Sequence, residues 1–294
     1  MKILIAGGKG FVGRHIASAL RAVGHDCVIT ARKPGPDSSI PVIRMDYEHD
    51  HDTAFWAQHL AGFDAVINAA GILVERSDAH FNAVHHLGPC ALFQACEQAG
   101  IPRVIQISAI GADEDAVTPY HKTKKLADDY LRSLDIPWII LQPSLIFGHD
   151  GASTKMFRRL AGLPVVPVPG RGEQMMQPVH VDDLAALVLR LLDEPGVSQE
   201  TIAVVGPRAL SYREYIEVLR HGMGKGKPLV INQPMAIMNA MAELVQHIPG
   251  STLTPDTLSM LQRGSTGDVT RFSELLGRMP RDPDVFITLS LIHI

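Results

Sequence analysis

Through the first half of the chain, short apolar runs alternate with stretches of helical periodicity. Ile3-Leu4-Ile5-Ala6 is a continuous apolar run of strand length, and Phe11 to Val23 repeats its apolar positions at the spacing of an amphipathic helix. Cys27 to Thr30 and Val42-Ile43 read as a second and a third strand. Ala65 to Ile67 then leads into NAAG, Val104 to Ile107 into SAIGA, and Trp138 to Leu141 into QPSLIFG, with helical stretches over Phe81 to Gln98 and Lys122 to Ser133 between them. Apolar runs separated by helices predict an α/β protein with a Rossmann-type, doubly wound parallel sheet covered on both faces. In such a sheet the functional loops lie past the carboxyl ends of the strands, where each of these short motifs falls.

After Gly148 the pattern changes. GLPVVPVPGRGEQ is rich in proline and glycine and reads as a loop-edged strand, VDDLAALVLRLLDEP reads as a helix, and Ser211 to Glu214 is a capping-box start. Thr254-Pro255 pairs a capping residue with proline at the first helical position. We therefore expect a nucleotide domain over 1–149 and a smaller, mostly helical lobe over 150–284, interleaved with the sheet. Residues 285–294, VFITLSLIHI, are apolar and lack a helical cap. They read as an edge strand or as a truncation or junction, and are left out of the functional argument.

Composition narrows the class. Of 294 residues, 46% are hydrophobic and 20% charged, as in a globular protein with a substantial core. The net charge of −4 gives no electrostatic argument for nucleic acid or anionic lipid. Cys27, Cys90 and Cys96 have no C-x-x-C spacing and read as reduced thiols, which predicts a cytoplasmic protein. Met1-Lys2 runs straight into the first strand, leaving no room for a signal peptide, and the most apolar window, Pro234 to Ile248, carries Glu243 and Gln246 and reads as a surface helix.

The strongest chemical signal is Gly7, Gly10 and Gly13 in AGGKGFVG, directly behind the first strand and opening the first helix with Phe11 and Val12. Glycines let the backbone approach a pyrophosphate, while the N–H groups and dipole of the helix start face its charge. At the end of the second strand an acid would favour NAD, but this chain reads Thr30-Ala31-Arg32-Lys33. Arg32, with Lys9 and Arg14 near the turn, suits the extra phosphate of NADP, with NAD kept as the alternative. Tyr120 and Lys124 form Y-x-x-x-K, which puts both on one helix face, where an ammonium lowers a phenol's pKa and makes it a usable acid or base.

With AGGKGFVG, Asp46 in RMDYE, NAAG, YHKTK, QPSLIFG and QPVHVDDLA in hand, the chain resembles the extended branch of the short-chain dehydrogenases/reductases. Within it, the chain is similar to the atypical group related to the nucleotide-binding accessory subunit of respiratory complex I. The resemblance implies that Gly7, Gly10 and Gly13 hold pyrophosphate, that Asp46 contacts adenine, and that Asn68, Ala69, Ala70 and Gly71 line the cofactor. It also implies Tyr120 as proton donor, Lys124 on the nicotinamide ribose, and Pro143 and Ser144 beside the nicotinamide. Some bacterial relatives carry a membrane domain, so association with a membrane complex is a further implication. The substrate and oligomeric state are not legible.

Two departures bear on catalysis. Members of the superfamily place a serine or threonine well upstream of the tyrosine, whereas Ser108 stands only twelve residues before Tyr120, and Gln142 replaces a common arginine. Ser108 is retained as the candidate carbonyl contact, and the rival to an oxidoreductase acting on a carbonyl or quinone-like substrate is a non-catalytic NADP(H)-binding sensor or assembly subunit. No metal site is expected: Glu48 to Asp52 reads as a solvated loop, His85 and His86 point in different directions, and His180, Asp182 and Asp183 read as a helix start.

Overall fold

The structure is a computed structural model that describes residues 1–33, 39–77, 79–248 and 251–292. Its first half follows the alternation closely. The elements are β1 (Lys2–Ala6), α1 (Phe11–Ala22), β2 (Asp26–Ala31), β3 (Val42–Arg44), α2 (Thr53–Ala57), β4 (Ala65–Asn68), α3 (Gly88–Gln98), β5 (Val104–Ile107), α4 (Pro119–Arg132) and β6 (Trp138–Pro143). The second half contributes β7 (Ile146–Phe147), α5 (Ala152–Gly162), β8 (Val165–Pro169), β9 (Met175–Met176), β10 (Val179–His180), α6 (Val181–Asp193), β11 (Glu200–Val204), β12 (Leu210–Ser211), α7 (Tyr212–Gly222), β13 (Leu229–Gln233), α8 (Met235–Val245), α9 (Pro255–Arg263), α10 (Thr270–Leu276) and α11 (Phe286–Ile292).

Seven strands form one sheet in the order β11-β6-β5-β4-β1-β2-β3. From β3 to β6 every neighbouring pair is parallel, with Ile3 opposite both Cys27 and Ala65. The order reverses between β1 and β4, so the glycine turn after β1 and NAAG after β4 flank the switch point where doubly wound sheets bind ligands.

The chain divides into two compact units. The first comprises Met1–Gln142 and Leu184–Ile202, and the second Pro143–Asp183 and Ala203–Ile294. Leu4, Val66, Phe93, Val104, Leu131 and Ile140 belong to the core of the first unit, and Phe147, Phe157, Val168, Tyr215 and Phe286 to that of the second. In the second unit α5 packs on α7, with the Phe157 and Tyr215 rings 5.2 Å apart, and β8 pairs with β13 as a separate parallel ribbon.

Local starts follow capping chemistry. Ser211 and Glu214 form the expected capping box, and Thr254 caps α9 through Thr257. α4 begins three residues before the predicted Lys122, because Thr118 caps it and Pro119 takes the first turn. The stretch before α3, Asn82–Leu87, is a wide π-helical turn that ends beside Pro89, a residue with no N–H to continue the ladder. Of the two readings of the tail, the edge strand is not what forms: Phe286–Ile292 is helical as α11, with Phe286 and Ile287 buried in the second core. Among the described residues no helix is long and apolar enough to cross a membrane.

Candidate functional site

Three loop segments of the first unit build the candidate site. In the first, Gly7 takes φ +75°, and a Cβ there would lie 2.6 Å from the Ala70 Cα. A Cβ on Gly13 would sit 2.3 Å from the Gly7 carbonyl oxygen, so both glycines are required by packing. Gly8 belongs to the same set, since its Cβ would overlap the Ile29 side chain at 2.4 Å. Gly10 differs: its backbone is extended and its Cβ would meet only the Gly7 carbonyl oxygen, at 3.1 Å. It is the N-cap of α1, with no side-chain cap and no acid in the first turn. That arrangement fits a phosphate group held by the N–H groups of the first turn, which includes Phe11, Val12 and Gly13.

The turn is braced from β2. The Gly7 N–H donates to Thr30 Oγ1 at 3.1 Å, and the Lys9 ammonium donates to the Lys33 carbonyl at 3.0 Å. Arg32 is exposed just past the end of β2. Asp46 lies just past β3, half-buried, and its carboxylate accepts from the Glu48 N–H at 3.1 Å.

The second segment follows β4. Asn68 is fully buried, and its amide is engaged by its neighbours: Oδ1 accepts from the Tyr47 hydroxyl and the Ala70 N–H, and Nδ2 donates to Gln106 Oε1 at 2.7 Å. It shapes the strand end on which Ala69, Ala70 and Gly71 sit. A Cβ on Gly71 would lie 3.4 Å from Lys124 Nζ and 3.5 Å from His85 Nε2, so this glycine borders both.

The third segment is the start of α4 with the end of β5. Lys124 is buried, and its ammonium donates to the Ile107 carbonyl at 2.9 Å and to the Ala70 carbonyl at 3.5 Å. Burial lowers its pKa to about 8. Ser108 follows Ile107 and donates to Asp128 Oδ2 at 2.5 Å; the Gln142 amide lies 3.5 Å from the same oxygen. Asp128 has no solvent exposure, its Oδ1 has no hydrogen-bond partner, and burial raises its pKa to about 6. Tyr120 is half-buried among the rings of Phe81, His85 and His121, at centroid distances of 5.8, 5.1 and 5.3 Å.

Burial pushes the Tyr120 phenol up to about 12, which corrects the expectation that Lys124 holds it low. The ammonium is directed to two carbonyls, and desolvation governs the phenol. Ser108 is likewise engaged, on a carboxylate that the motif reading did not single out. His85 is the other residue missed. It is fully buried, accepts the Ile72 N–H on Nε2 at 3.0 Å, and is held neutral by burial and by the Lys124 charge. Its spacing from Phe81, one helical turn, was the available signal.

The remaining candidates have partners of their own. Ser144 lies in the second unit, where its hydroxyl donates to the Gln177 carbonyl and its N–H to the Val204 carbonyl; Pro143 closes β6 at the unit boundary. The acidic loop is not simply solvated, because Glu48 pairs with His80 at 3.0 Å, Asp50 accepts from the Asp46 N–H, and Asp52 caps α2. Asp183 is more than a helix-start acid: it is fully buried and binds Arg278 and Arg281 within the second unit.

A switch-point glycine turn with an uncapped helix start, beside a Tyr/Lys pair, defines a dinucleotide-binding fold of the extended dehydrogenase type. A family profile described as the NAD dependent epimerase/dehydratase family matches residues 3–206, and the chain belongs to that family as an NAD(P)-binding member. Among its relatives, ceramide reductase of Caulobacter vibrioides is 28% identical over 88% of this chain and 81% of its own length. NADH dehydrogenase (ubiquinone) 1 alpha subcomplex subunit 9 of Arabidopsis thaliana is 25% identical over 88% of this chain and 67% of its own. The solved structure of MoeE5 in complex with UDP-glucuronic acid and NAD superposes with a TM-score of 0.74 at 22% identity, with all of both chains covered.

Proposed function

We propose that the chain is an NADP-preferring oxidoreductase acting on a carbonyl or quinone-like substrate. The observation that carries this reading is the juxtaposition of Lys124, the NAAG loop and the end of β5, with the Lys124 ammonium within 3.5 Å of the Ala70 and Ile107 carbonyls. When bound, the nicotinamide dinucleotide supplies or accepts the hydride. Gly7, Gly10 and Gly13 admit its pyrophosphate, with Phe11 and Val12 beside it. Arg32 meets the ribose phosphate, Asp46 the adenine, and Ala69, Ala70 and Gly71 border the ribose with Lys124. Pro143 and Ser144 are assigned to the nicotinamide end. Tyr120 holds its proton at neutral pH, as its raised pKa of about 12 requires, and releases it only to a developing alkoxide. Ser108 is assigned the contact to that oxygen. The proposed compartment is the cytoplasm, supported by three free thiols, of which Cys90 and Cys96 are pushed up by burial and unreactive.

The test is hydride transfer from stereospecifically deuterated NADPH to a panel of aldehydes, ketones and quinones. Tyr120→Phe is expected to leave NADPH affinity nearly intact and to cut transfer by about two to four decades. NADPH is expected to bind more tightly than NADH, and Arg32→Ala to erase about one to two decades of that preference. Equal affinities for the two cofactors in the unaltered chain defeat the NADP assignment.

A second reading, a non-catalytic NADP(H)-binding subunit of a respiratory or quinone-related complex, is favoured by one observation: the Ser108 hydroxyl is already donated to Asp128 at 2.5 Å. Saturable NADPH binding without transfer to any acceptor supports it.

A further inference from the structure

The second unit carries a surface that the dinucleotide chemistry does not use. Lys155, Arg158 and Arg159 of α5 join Lys225, Gly162 and Met223 around an open cavity of about 340 Å³. Among the described residues none of these four cations meets a carboxylate, and Lys225 reaches only the Gly162 carbonyl, at 2.8 Å. In a chain of net charge −4 such a concentration of one sign is local, which a count over the whole sequence does not reveal.

Exposed apolar side chains follow it along the chain. β8 and β13 begin three and four residues after Gly162 and Lys225, and their outward face exposes Val165 opposite Leu229, with Ile231 further along. β13 runs through Pro234 into α8, where Ile237, Met241 and Leu244 recur at spacings of four and three and are all exposed, Leu244 to 76%, and Ile248 is exposed in the turn just past the helix. They form a single stripe beside the buried face of Met238 and Ala242. Beyond α8 the Thr252 hydroxyl meets the Met156 sulfur of α5 at 3.2 Å, so the exposed helix is bracketed by the elements that carry the cations.

We infer that this face docks on an anionic lipid bilayer. Phosphate headgroups fill the basic cavity, and the α8 stripe and the ribbon lie among the upper acyl chains. An apolar stripe on a short helix next to clustered lysine and arginine is the chemistry of interfacial binding, and no described helix is long enough for spanning. Charge selects this occupant over a second copy of the chain, whose identical cavity would bring like charges together. The inference rests on nothing in the proposed hydride chemistry.

The experiment is co-sedimentation of the full chain with phosphatidylcholine vesicles, with and without phosphatidylglycerol. Partitioning is expected to require phosphatidylglycerol and to weaken with salt. Reversing two charges, in the double variant Arg158→Glu/Arg159→Glu, is expected to lower it by about tenfold or more. Ile237→Ser/Leu244→Ser is expected to lower it at every salt concentration, with circular dichroism unchanged because both residues are exposed. Absent or lipid-independent sedimentation overturns the proposal, as does wild-type partitioning by either double variant. A dimer in light scattering that Ile237→Ser/Leu244→Ser dissolves, without vesicle binding, assigns the face to a second copy. Inorganic phosphate binding without vesicle binding reduces the cavity to a small-anion site, and both results overturn the bilayer.

Discussion

Asp128 in the first unit and Asp183 in the second are both completely buried carboxylates, yet they are built for different ends. Asp183 is saturated. Its Oδ1 accepts from Arg278 at 2.5 Å and from Arg281, and its Oδ2 accepts the Arg281 N–H at 2.7 Å, across 95 and 98 residues of chain. Asp128 is under-supplied. It has the Ser108 hydroxyl and a long contact to Gln142 on one oxygen and no partner on the other, while the Lys124 ammonium, whose charge acts on it, donates to the Ile107 carbonyl. A satisfied buried carboxylate fastens two stretches of chain together, whereas an under-satisfied one stays sensitive to protons.

The first way to break this comparison is to remove the satisfied member. Asp183→Ala leaves two guanidinium groups without their shared anion. The arginines are partly exposed, so the loss falls short of that for a fully buried pair, and we expect about 2–4 kcal/mol in denaturant unfolding. A loss below 1 kcal/mol would place Asp183 among ordinary surface acids.

The under-satisfied member should reveal itself through pH. Its folded value of about 6 lies above its ordinary 3.8. The stability it contributes is therefore fully present below pH 4 and lost as pH rises through 6. Asp128→Asn removes that loss, so its stability relative to wild type should improve by about 2–3 kcal/mol between pH 4 and 7.5. Lys124, depressed to about 8, has the opposite sign: Lys124→Met should gain more at pH 7 than at pH 10 while weakening NADPH binding. Parallel melting curves across pH for wild type and Asp128→Asn would contradict this account.

Smaller effects distinguish the glycines. Gly13→Ala forces a Cβ against the Gly7 carbonyl and should cost about 1–3 kcal/mol together with cofactor binding. Gly10→Ala brings its Cβ to 3.1 Å from the Gly7 carbonyl oxygen, a tight approach without the overlap at Gly13, and should cost less than Gly13→Ala, yet still weaken NADPH titrations by crowding the phosphate approach. Equal destabilisation by both would erase the distinction.

Much of the frame was readable from local pattern. The runs at Ile3, Cys27, Ala65, Val104 and Trp138 became sheet strands because parallel strands covered on both faces are apolar throughout. The glycine turn was readable because it joins strand to helix within a few residues. What stayed hidden depends on side chains distant in sequence. Nothing in KKLADDY tells that Asp128 meets Ser108 twenty residues away, and nothing in HVDD tells that Asp183 waits for Arg278 and Arg281. The tail misled for a related reason: VFITLSLIHI is rich in strand-favouring residues, but Phe286 and Ile287 are held in the second core, and packing overrides propensity.

The order of the sheet also has a consequence for biosynthesis. β11, which covers the outer edge of β6, begins at Glu200, fifty-seven residues after β6 ends at Pro143. At roughly 5–20 residues per second, the ribosome leaves that edge uncapped for about three to eleven seconds. During this interval the apolar strand Trp138 to Leu141 presents unpaired N–H and C=O groups, which in a crowded cell are a template for a foreign strand. A nascent chain stalled before Glu200 should therefore recruit chaperones more strongly than one stalled after β11 has emerged, since the second core is incomplete in both and only the β6 edge differs. The latest-made strand of the sheet would act as its seal.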